Sequence, residues 1–228
     1  YSLGDEVFRH AMSLDNPIFE EVRSVCAETG KHVIFGFPQR SDRIKGQIHN
    51  SACLMGPEGI LGVYQKQHLV DFGPFEEWAY FTPGKNLLLR EVNGLKVGIM
   101  ICYDLFFPEL SKYYALCGAD LLVCISASPS ITRKYFESVM VARAIEDTVF
   151  FAYSNLVGFD SRMDFWGGGA IIGPRGNTLA KGPYYKPSRI RSVVDERSIL
   201  TARRHRPTLR DTRSDLLDRL AGSSRSQK

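Results

Sequence analysis

Residues 95–102 read Leu-Lys-Val-Gly-Ile-Met-Ile-Cys, an apolar run that ends on a thiol. Such a run is typical of a strand buried on both faces of a largely parallel sheet. A helix is predicted from about Pro108 to Cys117, so the chain must turn directly after Cys102. We therefore expect the Cys102 thiol at the carboxyl edge of a sheet, where ligands collect in open α/β folds.

Strand and helix keep alternating after this helix. A strand is predicted at 120–125, a helix at about 133–147 and a strand at 148–154. Glycines in 167–173, followed by Pro174-Arg175-Gly176-Asn177, indicate a late hairpin. This alternation predicts an α/β layer architecture.

The N-terminal half predicts one helix and three strands, at 17–28, 32–37, 48–55 and 62–67. Gly30 is a stop signal for the helix, and Pro57 with Gly59 favours a hairpin turn between the last two strands. Residues 71–86 have no steady period, so we interpret them as a loop. Long loops inside compact domains are often functional.

Length and composition favour a single domain. With 228 residues, 44% of them hydrophobic, the chain can build one sizeable core, and we place the domain at 1–221 with a polar tail at 222–228. No apolar run reaches the roughly 18 to 20 residues of a membrane-spanning helix.

The five cysteines contain no Cys-x-x-Cys pair, which indicates neither a disulfide framework nor a metal site. A cytoplasmic location is predicted.

The positive charge is concentrated near the C-terminus. Residues 175–228 carry 14 Lys and Arg against 5 Asp and Glu, whereas residues 1–174 carry 15 against 20. Acidic residues alternate with the arginines, and no aromatic side chains are interleaved as single-strand nucleic-acid binders require. We therefore favour a solvated or subunit-contacting surface over a nucleic-acid site, and we expect no membrane partner.

Three side chains are candidates for chemistry, each with a structural alternative. Cys102 is either an exposed nucleophile beside free backbone N–H groups or a buried structural thiol. Strand alternation puts Lys66 on the same face as Tyr64, where an inward ammonium near a thiol would lower the thiol pKa; the alternative is an exposed lysine at a strand end. Glu77 lies among aromatic residues, although loop acids are more often exposed.

The combination of motifs resembles the nitrilase superfamily of carbon–nitrogen hydrolases. The motifs are, in chain order, Lys66 with Leu69, Phe75-x-Glu77-x-x-x-Phe81-x-x-Gly84, Gly98-Ile99-Met100-Ile101-Cys102-Tyr103-Asp104-Leu105-x-Phe107-Pro108-Glu109, Gly118-Ala119-Asp120, Ser126-Ala127-Ser128-Pro129, Arg143-Ala144-x-Glu146, Asn155-x-x-Gly158 and Gly167-Gly168-Gly169. Together they cover nearly the whole chain. Several motifs in the correct order are far more specific than a lone cysteine.

The resemblance implies a four-layer αββα sandwich and a Glu-Lys-Cys site that needs no metal or organic cofactor. Cys102 would attack the substrate carbon, Lys66 and the Tyr103 backbone N–H would hold the oxyanion, and Glu77 would position Lys66. Ser126 and Ser128 are expected at the pocket mouth, with Tyr153 and Trp166 as candidates for the substrate wall. Relatives assemble as dimers, so a homodimer or higher homo-oligomer is expected.

One expected group has no counterpart in the sequence. The general-base glutamate of the superfamily lies in a Pro-Glu motif just before a stretch that Tyr1 matches. We therefore expect the base, and the N-terminal strands that carry it, upstream of Tyr1. A relative without that base would be an inactive scaffold or interaction protein, which is the alternative function.

Tyr103, directly after the nucleophile, resembles the amidase and carbamoylase branches rather than true nitrilases. The loop from Phe75 to Gly84 and the Ser126–Pro129 motif are similar to the glutaminase part of glutamine-dependent NAD synthetases. The predicted function is therefore hydrolysis of a linear amide or N-carbamoyl compound through a cysteine thioester, which releases ammonia or an amine. Hydrolysis of a nitrile is a further alternative.

Overall fold

A computed structural model describes residues 4–160 and 163–225. Tyr1, which the sequence analysis places in the stretch that follows the expected general-base glutamate, lies outside these residues. A 3-10 turn (Gly4–Glu6) and the short helix α1 (Val7–His10) precede the longer helix α2 (Pro17–Thr29). The last of these confirms the helix predicted at 17–28.

The ends of α2 follow from its flanking residues. The Asn16 side chain accepts a hydrogen bond from the Ile18 backbone N–H at 3.1 Å, which satisfies one of the unpaired donors of the first turn. Gly30 adopts a left-handed φ of 64° and ends the helix.

The first sheet contains three antiparallel strands, in the order β1 (Val33–Arg40), β2 (Ile48–Gly56) and β3 (Gly59–Gln65). The predicted hairpin is present, with its turn at Pro57 and Glu58. The predicted strand at 62–67 was wrong at its C-terminal end, because β3 stops at Gln65. Lys66 is thus the first residue beyond the strand.

The second sheet has six strands, which are β4 (Leu89–Val92), β5 (Leu95–Ile101), β6 (Leu121–Ser126), β7 (Phe150–Asn155), β10 (Ala170–Ile172) and β11 (Thr178–Lys181). Their order is β11-β10-β7-β6-β5-β4, and β5, β6 and β7 run parallel. A separate hairpin joins β8 (Val157–Asp160) to β9 (Met163–Trp166). The sequence analysis did not predict β4, β8 or β9.

The remaining helices are α3 (Glu77–Tyr80), α4 (Pro108–Leu116), α5 (Arg133–Asp147), α6 (Glu196–His205) and α7 (Ser214–Arg225). Those at 108–116 and 133–147 confirm the predicted helices. The stretch 71–86, interpreted as a loop, contains the four-residue helix α3.

The helices cover the outer faces of the two packed sheets. Ala52 and Leu54 of the first sheet share one buried cluster with Ile99 and Leu122 of the second. On the other face of the first sheet, Phe19 and Cys26 of α2 pack on Phe37, Cys53 and Met55. Residues of α4 and α5 complete the cluster against the second sheet. The chain therefore forms the predicted αββα sandwich, an α/β fold.

The C-terminal basic segment packs partly on the domain. Ile199 and Ala202 of α6 are buried, and Arg203 donates a hydrogen bond to the Ala119 carbonyl at 2.8 Å. The tail predicted at 222–228 begins inside α7, and its last three residues lie outside the described range. Between residues 4 and 160 and between 163 and 225, no helix combines the length and apolarity needed to cross a bilayer.

Candidate active site

Cys102 lies at the turn between β5 and α4. It begins a 3-10 helix (Cys102–Phe106), and its backbone has a left-handed φ of 50°. A non-glycine residue in this region costs free energy, and such residues cluster at functional sites. The Cys102 side chain is largely buried, with 7% of the residue exposed, and the thiol is free.

Lys66 is held by backbone contacts on both sides. Its N–H donates to the Asn50 carbonyl at 2.8 Å, and its carbonyl accepts from the Gly84 N–H at 2.8 Å. A Cβ at Gly84 would lie 2.2 Å from the Gln65 carbonyl oxygen, so only glycine permits this approach. Lys66 is 1% exposed, which makes it an inward-facing lysine as predicted.

The Lys66 ammonium pairs with a buried carboxylate. Its Nζ lies 2.5 Å from Oε2 of Glu77, which is 4% exposed. Glu77 also accepts hydrogen bonds from the Val70 N–H at 2.7 Å and from Asn50 Nδ2 at 2.9 Å. Three donors therefore fix Glu77, and Glu77 in turn fixes the lysine.

One cavity of about 510 Å³ joins these groups. Lys66, Glu77 and Cys102 all line it, together with Ser126 and Asn50. The structure thus brings together the three predicted catalytic side chains. Each of them comes from a different segment of the chain.

A second, smaller cavity of about 270 Å³ reaches Cys102 from another side. Tyr103 and Ser128 line this cavity. Ser126 therefore lines the larger cavity and Ser128 the smaller one, although only one residue separates them in the chain.

Tyr153 and Trp166 lie deeper. They are 3% and 0% exposed, and their rings stack with centroids 5.5 Å apart. Neither ring is among the residues that line the two cavities at Cys102. The Trp166 indole N–H donates to Ser128 Oγ at 3.4 Å, so this pair supports the pocket wall from behind.

Sequence reasoning missed the role of Asp104. This buried carboxylate accepts hydrogen bonds from Tyr64 Oη at 2.8 Å and from the Ile101 N–H at 3.0 Å. It also contacts the His68 N–H at 3.0 Å and His68 Nδ1 at 2.9 Å. Asp104 therefore ties the segment that carries Lys66 to the turn that carries Cys102. Its place two residues after the nucleophile was the available signal.

Burial raises the pKa of the Cys102 thiol above its ordinary value. The Lys66 ammonium opposes this shift, as do the adjoining Ser126 side chain and Ala127 backbone, whereas Glu77 adds to it. The predicted lowering of the thiol pKa by Lys66 is thus present, but burial outweighs it.

Within residues 4–160 and 163–225, no three His, Cys, Asp or Glu side chains are grouped closely enough to hold a metal ion.

An αββα sandwich with a lysine, a carboxylate and a cysteine gathered beside the nucleophile turn is the architecture of the nitrilase superfamily. The chain belongs to the carbon-nitrogen hydrolase family, whose family model matches residues 1–213. The resemblance read from the motifs is confirmed.

Individual relatives agree with the amidase-like branch. The chain is 29% identical over 215 residues to the 2-oxoglutaramate amidase of Bacillus subtilis, a match that covers 94% of this chain and 78% of the amidase. It is 34% identical over 151 residues to the glutamine-dependent NAD(+) synthetase of Aquifex aeolicus, which covers 65% of this chain and 27% of the synthetase.

Among solved structures, the carbon-nitrogen hydrolase of Helicobacter pylori G27 superposes with a TM-score of 0.86 at 26% identity. The match covers 96% of this chain and 80% of that chain. Several relatives are longer: the chain spans 65% or less of the length of four curated proteins that match it, the synthetase among them.

Proposed function

We propose that this protein hydrolyses the C–N bond of a linear amide or N-carbamoyl compound, with Cys102 as nucleophile. The observation that carries the proposal is the single cavity lined by Cys102, Lys66 and Glu77. The thiol supplies the nucleophile of a two-step acyl transfer, and the ammonium, held by the carboxylate, supplies an oxyanion donor.

In the first step the Cys102 thiol gives its proton to the general base, the glutamate expected before Tyr1, and the base later passes this proton to the leaving nitrogen. The sulfur forms a bond to the carbonyl carbon, and the carbonyl π electrons move to oxygen. The Lys66 ammonium stabilises this oxyanion, together with the Tyr103 backbone N–H near the start of the 3-10 helix. Collapse of the intermediate breaks the C–N bond, and the nitrogen leaves as ammonia or an amine after it takes a proton. Water then attacks the thioester and releases the acid and the free thiol.

Glu77 serves as the positioning group for Lys66 rather than as the general base. Its two oxygens already accept from Lys66, Val70 and Asn50, which leaves little capacity to take a proton from water. The general base expected before Tyr1 stays a prediction. Ser126 is proposed as a substrate contact on the side of the lysine, and Ser128 on the other side.

Tyr153 and Trp166 keep a place in the proposal as the wall that supports the substrate pocket. The Tyr153 ring stacks on Trp166, and the Trp166 indole N–H donates to the Ser128 hydroxyl that lines the smaller cavity. Action as a homodimer in the cytoplasm also stays a prediction.

The amide specificity is supported by the relatives whose names specify an amidase and a glutamine-dependent enzyme. The matched residues include the nucleophile segment, where Tyr103 follows Cys102. We propose that amides are preferred to nitriles.

The test is ammonia release by the whole natural protein from a panel of primary amides, N-carbamoyl amines and nitriles. Hydrolysis of an amide or carbamoyl compound, with an acyl adduct on Cys102 visible by intact mass, supports the proposal. Turnover of nitriles alone would assign the protein to the nitrilase alternative. No turnover and no adduct with any member would favour the scaffold alternative.

A further inference from the structure

The smaller cavity at Cys102 has an aromatic wall. We call it the aromatic cavity; six of its lining residues are Val70, Phe72, Phe75, Tyr103, Phe106 and Phe136. The rings hold one another in edge-to-face contacts: the centroids of Phe72 and Tyr103 are 5.3 Å apart, and those of Phe106 and Phe136 are 4.9 Å apart. Such contacts stabilise the wall beyond simple burial, so the cavity keeps its shape without a ligand.

The two aliphatic hydroxyls of the aromatic cavity are already engaged. Ser128 Oγ and Thr132 Oγ1 lie 2.6 Å apart, and Thr132 Oγ1 donates to the Pro129 carbonyl at 2.8 Å. Trp166 Nε1 supplies a further donor to Ser128 at 3.4 Å. A ligand in the cavity therefore meets few free hydrogen-bonding groups.

No lysine, arginine or histidine is among the residues that line the aromatic cavity. The Lys66 ammonium lines the other cavity, where it is paired with Glu77. A carboxylate placed among these rings would lose its hydration without gaining a cationic partner, which is strongly unfavourable.

The aromatic cavity accommodates a group of moderate size. Its volume is about 270 Å³. An apolar protein cavity of about 150 Å³ already binds benzene. A branched aliphatic chain or a phenyl group attached to a carbonyl carbon at Cys102 thus fits this volume.

We infer that the aromatic cavity binds the acyl part of the substrate and selects amides whose acyl chain is apolar and uncharged. This inference rests on the proposed function, because it assigns the group attached to the carbonyl carbon that Cys102 attacks. The leaving nitrogen and the oxyanion then lie toward Lys66, and the apolar chain lies between the rings. The rejection of a charged chain follows from the missing cation.

A matched pair of substrates tests the selection. Succinamate and 4-methylpentanamide have the same chain length, but the first ends in a carboxylate and the second in an isopropyl group of similar shape. We expect kcat/KM of the whole natural protein to favour 4-methylpentanamide by more than about 10²-fold, because a charge costs more to desolvate than an added hydroxyl. Acetamide, which has almost no acyl chain, serves as the reference substrate.

The outcomes separate this inference from the proposed function. Hydrolysis of acetamide with equal or better use of succinamate would overturn the inference and leave the proposed function standing. An absence of ammonia from all three amides would overturn the inference, and an absence of turnover of the N-carbamoyl amines as well would overturn the proposed function.

A charge introduced at the rim of the aromatic cavity provides the second arm. Tyr135 lines the cavity and is 64% exposed, so Tyr135→Arg should fold normally. It should shift the kcat/KM ratio toward succinamate by at least about 10-fold, within the range measured for close charge pairs. Tyr113→Arg is the control, since Tyr113 is 58% exposed on α4 and does not line the cavity. An unchanged ratio in Tyr135→Arg, or an equal shift in both variants, would contradict the inference.

Discussion

Two lysine–carboxylate pairs among residues 4–160 and 163–225 have a buried carboxylate, and they differ in what surrounds the lysine. Lys66 contacts Glu77 at 2.5 Å and lines a cavity with a thiol. Lys112 of α4 contacts Asp147 at the end of α5 at 2.6 Å, and it also donates to the Glu146 carbonyl at 2.9 Å. The second pair therefore joins two helices, whereas the first presents an ammonium to the cavity that contains Cys102.

The carboxylates differ in the same sense. Glu77 accepts hydrogen bonds from three donors, which fix its position so that it can position the lysine. Burial raises the pKa of Asp147 above its ordinary value, and Lys112 opposes that shift. The comparison teaches that a lysine–carboxylate pair becomes chemically useful when its cation lines a cavity beside a nucleophile, as Lys66 does. The pair is structural when its cation, although partly exposed like Lys112, links two helices instead.

The largest expected effect comes from Cys102→Ala, which removes the nucleophile that the first pair serves. We expect turnover of a good amide substrate to fall below detection and the acyl adduct to disappear from intact mass spectra. The thermal unfolding midpoint should stay close to that of the parent, because only one sulfur atom is lost. Cys117→Ala, at an exposed free thiol, is the control. Normal rates in Cys102→Ala would end the proposed mechanism.

Lys66→Met should lower kcat by about 10² to 10³-fold, the cost of one lost oxyanion donor. The ammonium also opposes the burial-induced rise of the Cys102 pKa, so this variant should raise the thiol pKa further. The measurement is the rate of Cys102 alkylation by iodoacetamide against pH. The midpoint should move to higher pH in Lys66→Met, because a higher pKa needs a more alkaline solution to form the thiolate. A midpoint that stays or moves to lower pH would show that Lys66 does not act on the thiol.

Glu77→Gln should lower kcat by less, up to about 10²-fold. The variant would leave Lys66 less firmly positioned, and a displacement of about 1 Å at a reacting group has effects of that size. Removing the Glu77 charge also removes one cause of the raised Cys102 pKa. Alkylation should therefore shift to lower pH while turnover falls, a split that simple misfolding does not produce. Glu76→Gln, at the exposed neighbouring acid, should change neither value.

The smallest effect on turnover is expected for Lys112→Met, at the structural pair. It should leave kcat/KM unchanged and lower the free energy of unfolding at pH 7 by about 1–3 kcal/mol, the cost of an unsatisfied buried acceptor. Below 3.8, the ordinary pKa of Asp147, the carboxyl is protonated in both the folded and the unfolded state, so the loss should be small there. The loss should grow as pH rises through the raised folded pKa.

Denaturant unfolding at pH 3.5 and pH 7 measures this difference, and Lys134→Met at an exposed lysine of α5 is the control. An equal loss of stability at both pH values would show that the Lys112 ammonium does not compensate the Asp147 charge.

Much of the fold was predictable because the apolar pattern is strong where burial is complete. Residues 97–101 of the apolar run are buried on both faces, and α5 begins and ends at the predicted residues. The short strand β4 and the hairpin of β8 and β9 were missed, since four-residue strands are too short to establish a period of two. The helix α6 was missed because most of its residues are polar or charged. Only Ile199 and Ala202 pack inward, and two apolar positions are too few to establish a helical period.

The candidate site, like the fold, could be predicted from the sequence only in part. Cys102, Lys66 and Glu77 belong to motifs with fixed spacing, so their chain positions were visible in the sequence. The aromatic cavity was not visible in the sequence, because its rings come from three segments that only the tertiary fold brings together. The role of Asp104 depends on contacts to Tyr64 and His68, which lie 40 and 36 residues earlier in the chain.

The clamp formed by Asp104 has a consequence for protein engineering. A design that transfers this thiol and amine to another scaffold must also transfer the aspartate, together with the tyrosine and the histidine that are hydrogen-bonded to it. Without these hydrogen bonds, the segment that carries the amine and the turn that carries the nucleophile would move independently. The engineered site would then contain both groups, but the distance between the amine and the thiol would vary.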